Sequence, residues 1–392
     1  MKEKLNKLLN QPYFPISLMV LIALVVSIQS LIEGERFIDG GYYTHYNNYL
    51  IFKQSFYHLI QNKDLYAYYA TEHFDLFKYS PTFAILFAPF ALLPDFLGLS
   101  LWNVFNLLVF VFALLSLPNF SVKTISLIVL LSLLEIITTA QNEQSNTLMI
   151  ALFLFAFSSL EKRKYFLATL FLVISIYLKL YGIVAFSMFL FYPDKIKLAA
   201  YSIFWLLVLF SLPLVLVDYQ QLVFNYKSWL ALLTNEHDQI YGISVMGWLS
   251  TWFRLEISKF IPVLIGIILF CLPLLKIANY KYYSFRLLAL CSVLIWVVIF
   301  NHRAESASYI IAYTGIAIWF MLGKQGLWEK LLMLGAFILI TLSPTDLFPK
   351  YIREEYVQGY TLKAVPAILI WLLILVQMLK PKNDELTNKE NI

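Results

Sequence analysis

PTFAILFAPFALLP, residues 81–94, decides how the rest of the chain is threaded. The run is apolar, but it is shorter than the roughly 20 residues that a membrane-spanning helix needs. Proline opens it, interrupts it and closes it. It either crosses a bilayer or dips in and returns. Parity separates the two readings. If it returns, the basic connections at 161–164, 193–197, 276–286 and 323–330 and the tail from Lys380 all share one side with the N-terminus. That side then holds about 17 of the 29 Lys and Arg residues, in short loops, as the positive-inside rule requires. If the run crosses, every later loop flips and the bias reverses. The re-entrant reading is therefore preferred, with both termini cytoplasmic.

The rest of the chain explains why a bilayer is in question at all. Of 392 residues, 60% are hydrophobic and only 14% charged, against about 25% charged in a soluble domain. Candidate spans lie at 14–32, 99–117, 122–139, 146–160, 165–178, 181–192, 196–217, 260–275, 287–300, 307–322, 327–342 and 362–379. The expected fold class is all-α: a polytopic integral membrane protein of about 12 transmembrane helices, with a re-entrant or juxtamembrane region in its first outer loop. Residues 1–380 form a single multispanning domain, and 381–392 are a polar cytoplasmic tail. The basic start before residue 14 resembles a signal peptide, but the apolar run is too long and lacks a small-residue cleavage site, so an uncleaved first helix is expected. The net charge of +5 speaks to orientation in a cell membrane, not to nucleic acid. Cys271 and Cys291 fall in apolar runs and read as buried small hydrophobes, without metal or redox spacing.

Residues 33–81 form the longest polar stretch. It carries His45, His58 and His73, many tyrosines, and the carboxylates Glu33, Glu35, Asp39, Asp64, Glu72 and Asp75. So long a polar insertion beside a membrane points to the roof of an active site. Within it, residues 49–61 place Leu50, Phe52, Phe56, Leu59 and Ile60 near one face, as in a helix lying in the interface.

Further polar residues gather on the same outer side. Gln141 to Asn146 is QNEQSN, more than a hairpin turn needs, and its amides and carboxylate suit sugar hydroxyls or a headgroup. Lys179 breaks an apolar run; it either snorkels to the interface or faces a cavity and holds an anion such as phosphate. His302, Arg303 and Glu305 separate two spans, as a solvated loop or as a phosphate grip, for which the planar guanidinium is suited. Residues 225–248 are too polar to span and are expected as short interfacial helices capping the same cavity. The adjacent Glu236, His237 and Asp238 make a poor chelate, so no metal and no cofactor are expected. No G-x-S-x-G elbow, P-loop or HExxH is present.

The order of motifs resembles glycosyltransferase family 87, multispanning enzymes of the C-type fold that include polyprenol-phosphate-mannose-dependent mannosyltransferases. The motifs are Asn48-Tyr49 through Asp64-Leu65-Tyr66, Tyr79-Ser80-Pro81 to Leu93-Pro94, Trp102 with Asn106, Gln144-Ser145-Asn146, Lys179 to Gly182, and Ser244 to Gly247. The family has an aspartate where this chain has Asn48, and an amide cannot act as a base. Either the base has moved, with Asp39 the first candidate and Glu143 the second, or the chain is inactive or does something else. The resemblance implies an inverting transfer of a mannose-like hexose from a polyprenyl-phosphate donor to a lipid or glycan acceptor on the extracytoplasmic side. The substrate-binding residues it implies, with the polar clusters above, are His45, Asn48, Lys78, Tyr79, Gln144, Asn146, Lys179, His302, Arg303 and Glu305. The rivals are a lipid-linked sugar flippase or transporter, which calls for mid-membrane charges and internal symmetry, and an oligosaccharide polymerase or ligase, which calls for a large outer loop late in the chain.

Overall fold

A computed structural model describes residues 2–38, 41–235, 241–255, 258–323 and 325–380. Asp39, the cluster at 236–238 and the tail 381–392 lie outside the described residues. The described chain is helical, with one antiparallel hairpin.

A short amphipathic helix, α1 (Lys2–Leu9), precedes α2 (Tyr13–Glu33). At about 1.5 Å per residue, α2 is long enough to cross a hydrocarbon core. Gly34 ends it at φ +76°, a left-handed turn that glycine adopts without strain. The hairpin β1 (Glu35–Ile38) and β2 (Gly41–Thr44) follows, with Glu35 opposite Thr44.

The next helix, α3 (Asn47–Ile60), corrects the interfacial reading. Tyr49, Leu50, Ile51 and Phe52 are all buried, so the helix is covered on more than one face. The segment 81–94 packs on it, Phe83 and Phe87 against Phe52 and Phe87 against Tyr49. That segment forms two short helices, α4 (Pro81–Leu86) and α5 (Ala88–Ala91), neither long enough to cross. The Ser80 hydroxyl caps α4 by accepting from the Phe83 amide, and Pro81 occupies the first turn, where its missing N–H costs nothing.

The remaining helices build the bundle. They are α6 (Asp95–Ser116), α7 (Val122–Leu131), α8 (Leu133–Gln141), α9 (Asn146–Glu161), α10 (Tyr165–Leu178), α11 (Lys195–Ser211), α12 (Tyr219–Asn235), α13 (Val245–Phe253), α14 (Phe260–Leu274), α15 (Tyr283–Ile299), α16 (Tyr309–Met321), α17 (Leu327–Ala336) and α18 (Ala364–Leu379). Among the described residues, three helical stretches, Tyr13–Glu33, Asp95–Ser116 and Lys195–Val215, are long and apolar enough to cross a membrane, and the pair α7 and α8 adds a fourth if its 60° bend is one span. Seven further apolar helices are shorter. Several expected spans thus resolve differently. The run expected at 122–139 is broken at Ser132. Leu180–Phe191 is a 3-10 helix. The run expected at 327–342 is an α-helix that passes into a π-turn at Phe337–Leu342. Residues 225–248, expected as short interfacial helices and not as a span, fall in α12 and the short α13.

Burial sorts the helices by environment. α15 and α16 are apolar and buried nearly all round, which marks the centre of the bundle. α2, α11 and α14 instead expose Leu, Ile and Phe side chains on an outer face, the surface expected against lipid. Cys291 is buried as expected, but Cys271 is exposed on α14 because it faces outward there.

The two ends of the bundle differ. At one end Arg286 grips Glu161 with two bonds, Nε to Oε1 at 2.6 Å and Nη2 to Oε2 at 2.7 Å, joining the end of α9 to the start of α15. At the other end lie the start of α9, the end of α10 and the connection between α15 and α16. The polar residues singled out by the sequence converge there.

Candidate active site at the rim of the bundle

The centre of the rim is a half-buried lysine. Lys179 stops α10 by turning extended, at φ −146° and ψ 123°. Its Nζ donates to Asn146 Oδ1 at 2.7 Å and lies 5.8 Å from the centre of the Tyr79 ring. Burial lowers the Lys179 amine to about 8, partly offset by the Glu305 carboxylate.

Asn146 is fully buried at the start of α9 and uses both ends of its amide. Its Nδ2 donates to Gln144 Oε1 at 2.7 Å and to the Ala307 carbonyl at 2.8 Å. Gln144 Nε2 passes the chain on to Glu305 Oε2 at 3.0 Å. A continuous line of contacts therefore runs Lys179, Asn146, Gln144, Glu305. A side-chain carboxamide suits this role because it accepts and donates at once.

The first polar loop forms the near wall. The Tyr79 hydroxyl is 3.0 Å from Ser145 Oγ, and its carbonyl accepts from Tyr66 at 2.9 Å. Burial raises the Tyr79 phenol, so it stays protonated. Asn48 Nδ2 donates to the Asn142 carbonyl at 2.8 Å, joining the start of α3 to the QNEQSN turn. Asp64 accepts from the Tyr66 amide at 3.0 Å and from Ser228 at 2.8 Å, which seats the loop on α12.

Glu143 is also buried, in the left-handed turn at φ +46°. Its side chain faces Ser30 of α2 at 3.4 Å, and its carbonyl accepts from the Trp102 indole at 2.7 Å. Burial holds its carboxyl well above the usual carboxylate range. It packs behind the rim, against α2 and α6.

The far wall is the connection 301–308. The amides of Gly242 and Ile243 donate to the carbonyls of His302 (2.6 Å) and Ala304 (2.8 Å). A Cβ on Gly242 would lie 2.6 Å from the Ala304 carbonyl oxygen, so the close approach requires glycine. Ser244 caps α13 on the Gly247 amide at 3.2 Å. The Ser-x-x-Gly motif is thus a helix cap pressed against this wall.

The structure brings Asn48, Tyr79, Gln144, Asn146, Lys179 and Glu305 together and sets His302 and Arg303 on the adjoining wall. Two sequence candidates have partners elsewhere. His45 pairs with Glu33 at 2.7 Å beside the hairpin, and Lys78 pairs with Asp75 at 3.0 Å. Of the other loop histidines, His58 bonds Glu72 at 2.7 Å and His73 bonds the Asp75 carbonyl at 2.9 Å. Both are lowered by burial, which keeps them neutral supports of the loop. The sequence reading passed over Lys363 and did not pair it with Glu135, although a carboxylate inside an apolar run was a signal.

Gly182 holds the lysine turn. Its amide donates to the Lys179 carbonyl at 2.8 Å, and a Cβ there would meet the Ser175 carbonyl group at 2.7–2.8 Å. Gly182→Ala should therefore cost about 1–3 kcal/mol of stability and displace the Lys179 amine. The expected result is a lower Tm together with weaker donor binding; a variant equal to wild type in both would show that the turn has slack.

The model of the family described as "Glycosyltransferase family 87" matches residues 77–301. The match takes in Tyr79, the QNEQSN turn, Lys179 and the α12–α13 region. No curated protein matches the chain.

Proposed function

Because the chain belongs to glycosyltransferase family 87, we propose that it moves a mannose-like hexose from a polyprenyl-phosphate donor to a lipid or glycan acceptor, with inversion, outside the cytoplasm. The observation that carries this reading is the Lys179 amine, held between Asn146 and the Tyr79 ring at the rim of an apolar bundle. A cation at that depth suits a phosphate whose lipid tail remains among helices. Such a phosphate would add a charge-assisted bond to the ammonium. Arg303, on the adjoining wall, supplies a second cation. Asp39 takes the proton of the acceptor hydroxyl as it attacks the anomeric carbon, and the bond to the donor phosphate breaks. The cations stabilise the charge that develops on the leaving phosphate. Gln144, Asn146 and Asn48 offer amides to sugar hydroxyls.

The reading includes a threading of about twelve crossings, with both termini in the cytoplasm and the rim on the opposite side of the cell membrane. Arg286 and Glu161 at the far end of the same helices favour that sidedness, because the basic connections lie with them.

The test is transfer from radiolabelled polyprenyl-phosphate sugars by the full chain in proteoliposomes. Polyprenyl-phosphate-mannose should be consumed and a labelled product formed. Consumption of none of the polyprenyl-phosphate sugars would remove this donor class.

A further inference from the structure

Glu135 and Lys363 form an ion pair that the scheme above does not use. The glutamate sits on α8, the lysine immediately precedes α18, and both side chains are almost wholly buried. Lys363 Nζ lies 3.0 and 3.1 Å from the two Glu135 oxygens. It also donates to Ser306, 2.9 Å from the hydroxyl and 3.3 Å from the carbonyl oxygen. The Tyr309 ring centre is 5.1 Å away.

An apolar pair of similar volume would hold α8 against α18 at least as well as two buried charges do. What an apolar pair cannot do is bond the serine. Ser306 lies between two residues of the rim: Glu305, which receives Gln144, and Ala307, whose carbonyl receives Asn146. The ammonium thus fastens the middle of a three-residue stretch whose two ends meet the Lys179 line.

We propose that Lys363, oriented by Glu135, is a positioning residue that locks the connection 301–308 so that Glu305 and Ala307 meet Gln144 and Asn146. The idea rests on reading the Lys179 line as the donor site. It concerns a residue beyond the matched segment 77–301.

The test uses the full chain in lipid nanodiscs and has a readout that needs no substrate. In Lys363→Met, amide hydrogen exchange across 301–308 should rise about ten-fold or more, while exchange in α15 and α16 stays at the wild-type level. The double variant Glu135→Gln with Lys363→Met leaves no unpaired buried charge, so it keeps the fold if the single variant does not. It should show the same loosening, because Ser306 has still lost its donor. Wild-type exchange at 301–308 in the folded double variant would overturn the proposal. A second arm combines Lys363→Met with Glu305→Gln in the transfer assay. If the lysine acts through the 305–307 stretch, the combined loss is no larger than the greater single loss. Losses that multiply would mean that Lys363 acts elsewhere. Loosened exchange in a chain that uses no polyprenyl-phosphate sugar would uphold the lock and remove the donor reading alone.

Discussion

With the proposed polyprenyl-phosphate donor, Lys179→Met should lower donor affinity about 10–100-fold, the expected loss for a hydrogen bond to a charged group. The fold should survive, because Asn146 keeps its bonds to Gln144 and Ala307 after the amine is gone. The pH dependence gives a sharper result. An ordinary lysine stays charged to about pH 10, whereas burial brings Lys179 to about 8. The charged form is present below that value and lost above it. Donor affinity of the wild type should therefore fall as pH rises through 8. In Lys179→Met that fall should vanish. In Lys179→Arg affinity should hold across the same range, since guanidinium keeps its proton. Binding of a labelled polyprenyl-phosphate sugar, measured from pH 6.5 to 9.5 as a chosen range spanning the lysine transition, checks all three. An unchanged donor affinity in the methionine variant would take Lys179 out of the site.

Asp39→Asn is expected to lower transfer about 10²–10⁴-fold, the usual contribution of a general base, with donor affinity unchanged. The contrast is with Glu143. That carboxyl is buried against Ser30, and burial raises it well above the usual carboxylate range. Glu143→Gln keeps the shape of the buried side chain and should retain most of the activity. The pair of variants separates the two candidates that Asn48, an amide in the place of the family's aspartate, leaves open. Full activity in Asp39→Asn with loss in Glu143→Gln would reverse the assignment.

What was legible in the sequence follows from the cost of polarity near a membrane. Lys179, Gln144, Asn146 and Glu305 each interrupt or bound an apolar run, and each lies at the rim. Tyr79 came from a motif, and its ring is where the lysine rests. His45 and Lys78 look alike in sequence, but nearby carboxylates at Glu33 and Asp75 engage them. Pairing at a distance was not legible: Glu135 and Lys363 are 228 residues apart, and nothing in either neighbourhood names the other. The 60° break between α7 and α8 falls at Ser132 with no proline or glycine to announce it.

The seat of the returning segment has a consequence for how the chain is made. Ser80 donates to the Tyr177 carbonyl and Thr82 to the Leu209 carbonyl, partners that follow 97 and 127 residues later. When Pro81–Leu86 leaves the ribosome, neither acceptor exists, and six residues cannot be held in a bilayer by themselves. Until α10 and α11 have been synthesised, these two hydroxyls lack their acceptors. A nascent chain arrested before Leu209 would therefore lack the acceptor that seats Thr82.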